Sequence, residues 1–315
     1  MDPNAIGQQF IQAYVGFLAA GDVAGLSALY GADSIAIFDG SVARGQQAIA
    51  GTFIAPRLPG GVKVRVSGFS AQGTATSQLL ITLDGESDKP AGRFNQVVLL
   101  GQTPTGGMYI RADICRCAAR ARARTGALAR APLPAPPPLN PSVNAPLSSA
   151  PPRPRWGAGA AAQQLTADAS GLAMPFLQNY YTQYGARAQG GAIVGLYHPQ
   201  KSQLSMGETA KFPPAVGQAA IAPMHLGTPA TAADEAKPPR MPPGRHDIQT
   251  VDAASLIDAG AAPVNGISAA LLVLVTGRIM LDGEANPLNF LQCFLVATEA
   301  GANYIANELF SLIYA

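Results

Sequence analysis

Side chains able to ligate a metal, attack a carbonyl or shuttle protons near neutral pH are sparse in this chain. The three histidines, His198, His225 and His246, are scattered, a spacing that supports neither a metal cluster nor a histidine-based nucleophilic triad. Of the three cysteines, Cys115 and Cys117 stand two apart and Cys293 is remote. With no second pair and no neighbouring histidine they predict neither a zinc site nor a disulfide framework, and the expectation is free thiols in a reducing compartment. No metal and no cofactor is therefore expected. The remaining chemical signal is arginine. Residues 111–157 hold eight Arg and one acid, Asp113, for a local charge of +7, while the rest of the chain carries −5 and the whole +2. These arginines alternate with alanine and lack interleaved aromatics, so the stretch reads as a solvated spacer. A non-specific, salt-sensitive contact with nucleic acid, or a nuclear address, is the weaker alternative.

The elements that position everything else come in duplicate. Phe10-Ile11-Gln12-Ala13-Tyr14 returns as Phe176-Leu177-Gln178-Asn179-Tyr180, and Ala28-Leu29-Tyr30 as Gly195-Leu196-Tyr197. Gly45-Gln46-Gln47-Ala48-Ile49-Ala50 returns as Gly217-Gln218-Ala219-Ala220-Ile221-Ala222. Leu83-Asp84-Gly85-Glu86 matches Leu281-Asp282-Gly283-Glu284, and Phe94-Asn95-Gln96 matches Phe290-Leu291-Gln292. Ordered matches with slowly drifting offsets are the mark of an internal repeat. The offset jumps once, from 172 to 198, which predicts an insertion of 26 residues in the second copy. The Pro- and Ala-rich segment 227–245 fits it.

The expected organisation is a first domain at 3–117, an Arg/Ala- and Pro-rich disordered linker at 118–164, and a second domain at 165–315. Hydrophobic residues make up 48% of the chain and charged ones 13%, enough for two cores. The N-terminus lacks a signal-peptide pattern, and the most apolar run, Ala269 to Met280, is broken by Gly277 and Arg278, so no membrane span is expected.

Within the first copy, Ile6, Phe10, Tyr14 and Leu18 recur at helical spacing, predicting an amphipathic helix over 5–20. Gly21-Asp22 ends it, and Asp22 is placed to cap a second helix running to Tyr30. A strand at 34–38, an Asp39-Gly40 turn, a returning strand at 41–44 and a helix at 45–55 follow. Strands are expected at 62–69, 76–85, 93–101 and 108–115. The second copy reads alike, with helices at 168–185, 190–197 and 215–225, and strands at 202–206, 246–257, 266–281, 288–298 and 302–312. The predicted fold class is α+β: two tandem domains, each three helices packed on a curved antiparallel sheet.

This order, with the local sequences Ile6 to Tyr14, Phe38-Asp39-Gly40, Gly45 to Ile49, Phe94-Asn95-Gln96, Ala112-Asp113-Ile114-Cys115-Arg116 and Asn307-Glu308-Leu309-Phe310, resembles the nuclear transport factor 2 family. The resemblance implies that the two tandem domains are cone-shaped, with an open cone mouth that receives an aromatic side chain of the small GTPase Ran in its GDP form, and rim acids pairing a nearby lysine. Carried over by position, the first copy offers Phe38, Leu58 and Ile114 to the pocket and Asp39, Glu86 and Asp88 to the rim, with Lys89 in a place usually acidic. The second offers Met206, Leu309 and Phe310 to the pocket and Glu208, Asp282 and Glu284 to the rim, with Gly207 where the first acid belongs. The alternative is that these apolar residues simply fill closed cones. The family's contact with nucleoporin repeats uses a tryptophan ahead of the first helix. Pro3 and Ala169 stand there, so that contact is expected to be missing. Because the family pairs through its sheets, the tethered copies are expected to dock as an intramolecular pseudo-dimer.

The implied function is a non-catalytic carrier in nucleocytoplasmic transport, shared between cytoplasm and nucleus. An mRNA-export or RNA-granule adaptor is one alternative. A small-molecule isomerase or dehydratase is another, with Asp39 as base and Tyr14 as donor.

Overall fold

The computed structural model describes residues 2–103, 105–119, 169–186, 191–207, 213–226, 241–242, 244–257, 266–281 and 285–313. Nearly all of the expected linker and most of the 227–245 insertion lie outside the described residues.

The first copy opens with helix α1 (Pro3–Ala20), whose Ile11 and Tyr14 are buried on one face. Asp2 caps it, accepting from Asn4 N at 3.0 Å, and Gly21 ends it in the left-handed region. Asp22 caps α2 (Val23–Ala28), accepting from Gly25 N at 2.8 Å. Strands β1 (Tyr30–Phe38) and β2 (Ser41–Arg44) form a hairpin. Both turn residues, Asp39 (φ 49°) and Gly40 (φ 82°), have positive φ, as the tight Asp-Gly turn requires. The third helix is α3 (Gln46–Ile49), continued by a π-turn over Ala50–Ile54. Four long strands complete the copy: β3 (Val64–Gly73), β4 (Leu79–Asp88), β5 (Ala91–Gln102) and β6 (Met108–Ala119).

The second copy repeats this plan. Helix α4 (Ala169–Gly185) is followed by a 3-10 turn (Gly191–Leu196) where a helix at 190–197 was expected. Strand β7 (Gln203–Met206) pairs with the short β8 (Ala215–Val216), so the helix expected to start at 215 begins only after this strand, as α5 (Gln218–Leu226). Strands β9 (Gly244–Ser255), β10 (Ile267–Leu281), β11 (Leu288–Glu299) and β12 (Ala302–Ile313) follow. Each copy has one six-stranded sheet, ordered β2-β1-β6-β5-β4-β3 and β8-β7-β12-β11-β10-β9. The sheets are antiparallel except where β1 joins β6 and β7 joins β12 in parallel. No described helix is long and apolar enough to cross a membrane.

Strand register corrects one sequence match. Gly85 lies opposite Phe94, and Gly277 lies opposite Phe290. A side chain on either glycine would meet a backbone carbonyl at 2.3 Å, Arg65 O or Asp247 O, so both positions demand glycine for the same reason. The twin of Leu83-Asp84-Gly85-Glu86 is therefore Val275-Thr276-Gly277-Arg278, not 281–284. The predicted single insertion is instead shared among connections. One part lies between α5 and β9, another between β9 and β10, and a third between β10 and β11, whose last pair is Ile279 with Leu288, where the first copy's last pair is Asp88 with Ala91.

Each sheet buries both faces. One face packs on its own helices, giving two separate cores around Ile49, Phe53 and Ile81, and around Tyr180, Phe290 and Phe294. The other faces pack on each other: Ile35, Ile37, Leu80, Val97, Leu99 and Ile114 form one apolar cluster with Leu256, Leu272, Leu274, Leu291, Leu295 and Leu309. Across this contact Arg116 grips Asp252 with two hydrogen bonds, Nη2 to Oδ1 at 2.8 Å. The Nδ2 of buried Asn307 donates to Gln72 Oε1 at 2.9 Å.

Candidate functional site

The first copy holds an open apolar cavity of about 90 Å³ between its helices and the concave face of its sheet. It is smaller than the ~150 Å³ that encloses a benzene, but its open mouth requires only the tip of a guest to be enclosed. Phe38 from β1, Phe53 from the π-turn, Leu58 from the loop that follows, and Val64, Val66 and Leu83 from β3 and β4 supply the walls. Alternation along β5 and β6 brings Phe94, Gln96, Cys115 and Cys117 to the same side. The Cys115 thiol is pushed up by its hydrogen bond to Cys117 and by burial, while Cys117 is pulled down by the same bond. The Arg57 guanidinium lies over the Phe38 and Phe53 rings, 4.9 and 5.3 Å from their centres, and forms one lip. Lys89 forms another, its Nζ donating to Gly61 O at 2.8 Å.

The expected rim acids have local duties. Asp39 is exposed at the β1–β2 turn, and its Oδ1 accepts from Cys117 N at 2.8 Å. Glu86 pairs with Arg65 at 3.1 Å, and Asp88 accepts from Lys63 N at 2.8 Å. Of the three residues assigned to this pocket, Phe38 and Leu58 line the cavity and Ile114 does not. It points to the opposite face of β6 and packs in the cluster between the two sheets. Leu309 is misplaced for the same reason and joins that cluster too. Because side chains alternate, their neighbours Cys115 and Phe310 are the ones that face the helices. Glu208, Asp282 and Glu284 lie outside the described residues.

The second cone's interior is filled by its own rings. Tyr180, Tyr184, Tyr197, Phe290, Phe294 and Phe310 are all at most 2% exposed. Phe310 stacks on Phe290 at 5.7 Å, Phe294 meets Tyr180 edge-on at 4.8 Å, and Met206 is buried beside them. Among the described residues, the second cone's interior is thus packed with rings, while the first has an open recess.

Behind both interiors sits a polar cluster that sequence reasoning missed. In the first copy Asp113 accepts from Tyr30 Oη and from Gln96 Nε2, each at 2.7 Å, and Gln96 Nε2 also reaches Tyr14 Oη at 3.1 Å. In the second, Glu308 accepts from Tyr180 Oη at 2.7 Å, from Gln292 Nε2 at 2.6 Å and from Tyr197 Oη. His225 Nε2 lies 2.7 Å from Tyr197 Oη. Burial raises Asp113 to about 6 and Glu308 to about 7, against the lowering effect of these donors. The phenols are raised as well, by burial first and then by the adjacent carboxylate.

This arrangement does not assemble the acid–base pair expected of an isomerase. Tyr14 lines the cavity, whereas Asp39 is held at the turn and contributes nothing to its lining. The carboxyl that shares Tyr14's network is Asp113, fully buried, with both oxygens engaged by protein donors. Among the described residues no group of three or more His, Cys, Asp or Glu is placed to hold a metal ion.

Two helix-packed cones, one with an apolar recess, define an architecture of a known class. The model of the nuclear transport factor 2 (NTF2) domain matches residues 6–117 and again 172–312, and the chain belongs to that family in two copies. Nuclear transport factor 2 of Emericella nidulans is 37% identical over 71 residues, 22% of this chain and 50% of that protein. Nuclear transport factor 2B of Arabidopsis thaliana is 36% identical over 72 residues, again 22% of this chain and 50% of the relative. The chain thus spans about half the length of the curated relatives it matches. The solved nuclear transport factor 2 of Cryptosporidium parvum aligns with a TM-score of 0.32 and 26% identity, over 37% of this chain and 94% of that one.

Proposed function

We propose that this protein is a non-catalytic carrier of the nuclear-transport type, distributed between cytoplasm and nucleus, in which the first copy recognises the partner and the second is scaffold. The observation that carries this reading is the contrast between the cones. One has an open apolar recess, and its twin is packed with rings. A recess of this size suits a single apolar side chain anchored from a protein surface, the usual form of an interface hot spot. The two copies act as an intramolecular pseudo-dimer, a reading supported by the apolar cluster between the sheets. Ran in its GDP form is the partner to test first, since curated relatives are named nuclear transport factor 2.

The test is capture of Ran loaded with GDP or GTP by wild type, Val66→Phe and Asp39→Lys. Val66 is a half-buried wall residue, and the larger ring fills the recess. Binding of the GDP form by wild type and its loss in Val66→Phe supports the reading. Equal capture by wild type and Val66→Phe removes the recess from the mechanism.

A further inference from the structure

We propose that the facing sheet surfaces are built to accept each other and to reject themselves, so that the mate of each copy is the unlike copy. The inference rests on the paired arrangement proposed above. Gln96 and Gln292 hold equivalent places, each donating to a helix tyrosine and to the buried acid. Counting strand register outward from them makes Ser70 the twin of Asp252, Gln72 of Ala254, Ala112 of Asn307, and Arg116 of Ser311.

A symmetric pair would make each contact twice. Among the described residues, the following polar contacts between the sheets are each made once. Gln72 Oε1 accepts from Asn307 Nδ2 at 2.9 Å, and Gln72 Nε2 donates to Ser205 Oγ and to Glu308 O. At the mirror place stand Ala254 and Ala112, both inside the apolar cluster. Arg116 binds Asp252, whose side chain is only 5% exposed. The mirror residues are Ser311 and Ser70, and Ser70 Oγ donates instead to Gly207 O. Arg111 Nη2 donates to Leu256 O at 2.7 Å, whereas its twin, Ala306, is apolar.

Self-pairing would undo this matching. Two first copies would set each Gln72 against Ala112 and each Arg116 against Ser70, where the Asp252 carboxylate is missing. Two second copies would set each Asn307 against Ala254 and bury both Asp252 carboxylates against Ser311. An unpartnered buried amide or carboxylate disfavours such a complex, which is selection against the wrong partner. The unlike pairing has a functional consequence. It places Thr250 and Arg278 of the second copy in a cleft of about 390 Å³ that shares Phe94 and Cys117 with the first copy's recess. The open mouth of the first copy therefore always has the same neighbour.

The experiment uses the full chain with a specific protease site inserted at 140–145, cut after folding. Isotope-labelled and unlabelled cut protein are mixed until label has exchanged between pairs, and pair composition is read by native mass spectrometry. The expected result is mixed pairs alone. In the variant Gln72→Ala, Asn307→Ala, Arg116→Ser, Asp252→Ser, self-pairs should rise toward half of all pairs. The exchanged ion pair Arg116→Asp with Asp252→Arg should keep pairing exclusively mixed, which separates loss of selectivity from loss of folding. Self-pairs abundant in the cut wild type would overturn the proposal. Cut halves that separate as free monomers would overturn the paired reading beneath it.

Discussion

Replacing Glu308 with Gln should change how stability depends on pH, in a direction the burial of this carboxyl dictates. Glu308 is inaccessible to solvent and titrates at about 7, against 4.5 for an ordinary glutamate. Below pH 4.5 the group is protonated in folded and unfolded chains alike, and the neutral acid contributes its full stability. Between 4.5 and about 7 the unfolded chain releases the proton while the folded chain keeps it, so stability falls as pH rises. Above 7 the fold carries the ion and the loss is complete. A shift of this size corresponds to about 3 kcal/mol. In Glu308→Gln the amide oxygen can still accept from Tyr180 and Gln292, and the amide NH₂ can donate to Tyr197 Oη. The variant lacks the ionisation and hence this loss. Urea unfolding of both proteins from pH 4.5 to 8 should show the variant gaining about 3 kcal/mol relative to wild type across the range. A difference that stays flat, or that moves toward the wild type with rising pH, would refute the assignment of a proton-holding carboxyl at this place.

Other outcomes follow from the same geometry. Arg116→Ala should cost about 2 kcal/mol in chemical denaturation, because the almost buried Asp252 carboxylate loses its cation, discounted for the partial exposure of Arg116. Adding Asp252→Ala should recover most of that loss. Gly277→Ala should destabilise by about 1–3 kcal/mol in the same assay, since the new carbon would lie 2.3 Å from Asp247 O, whereas Gly195→Ala, with open space around it, should not destabilise through crowding. Lys89→Glu should tighten binding to any partner that presents a lysine at the mouth by about 1 kcal/mol, read as a fivefold change in Kd at low salt that fades at high salt.

The fold was largely legible because the repeats preserve what the backbone needs. Gly45 and Gly217 both take positive φ and donate to the carbonyls of Ser34 and Ser202, and both serines donate to β6 or β12. The site was less legible for identifiable reasons. Ile114 and Leu309 were assigned to pockets because the strands around them are apolar at nearly every position. In a sheet buried on both faces, alternation no longer tells which side meets the helices. The acidic match at 281–284 failed because the longer β10–β11 connection carries a Leu-Asp-Gly-Glu sequence of its own, while the Gly opposite Phe290 that fixes register sits earlier, at 277. The tyrosine–glutamine–acid clusters were overlooked although their signal was present. Tyr14 and Tyr180, Tyr30 and Tyr197, and Gln96 and Gln292 are polar residues that recur inside otherwise apolar repeats, and Asp113 and Glu308 are the acids they surround. The asymmetry of the recesses was not readable, since it depends on whether six rings meet one another in space.

In the proposed function the recess of the first copy receives the partner. Calorimetric titration of Ran-GDP into the full chain tests it most directly. One equivalent should bind per chain, and Val66→Phe should abolish binding. Two equivalents, no binding, or binding untouched by that substitution would contradict it.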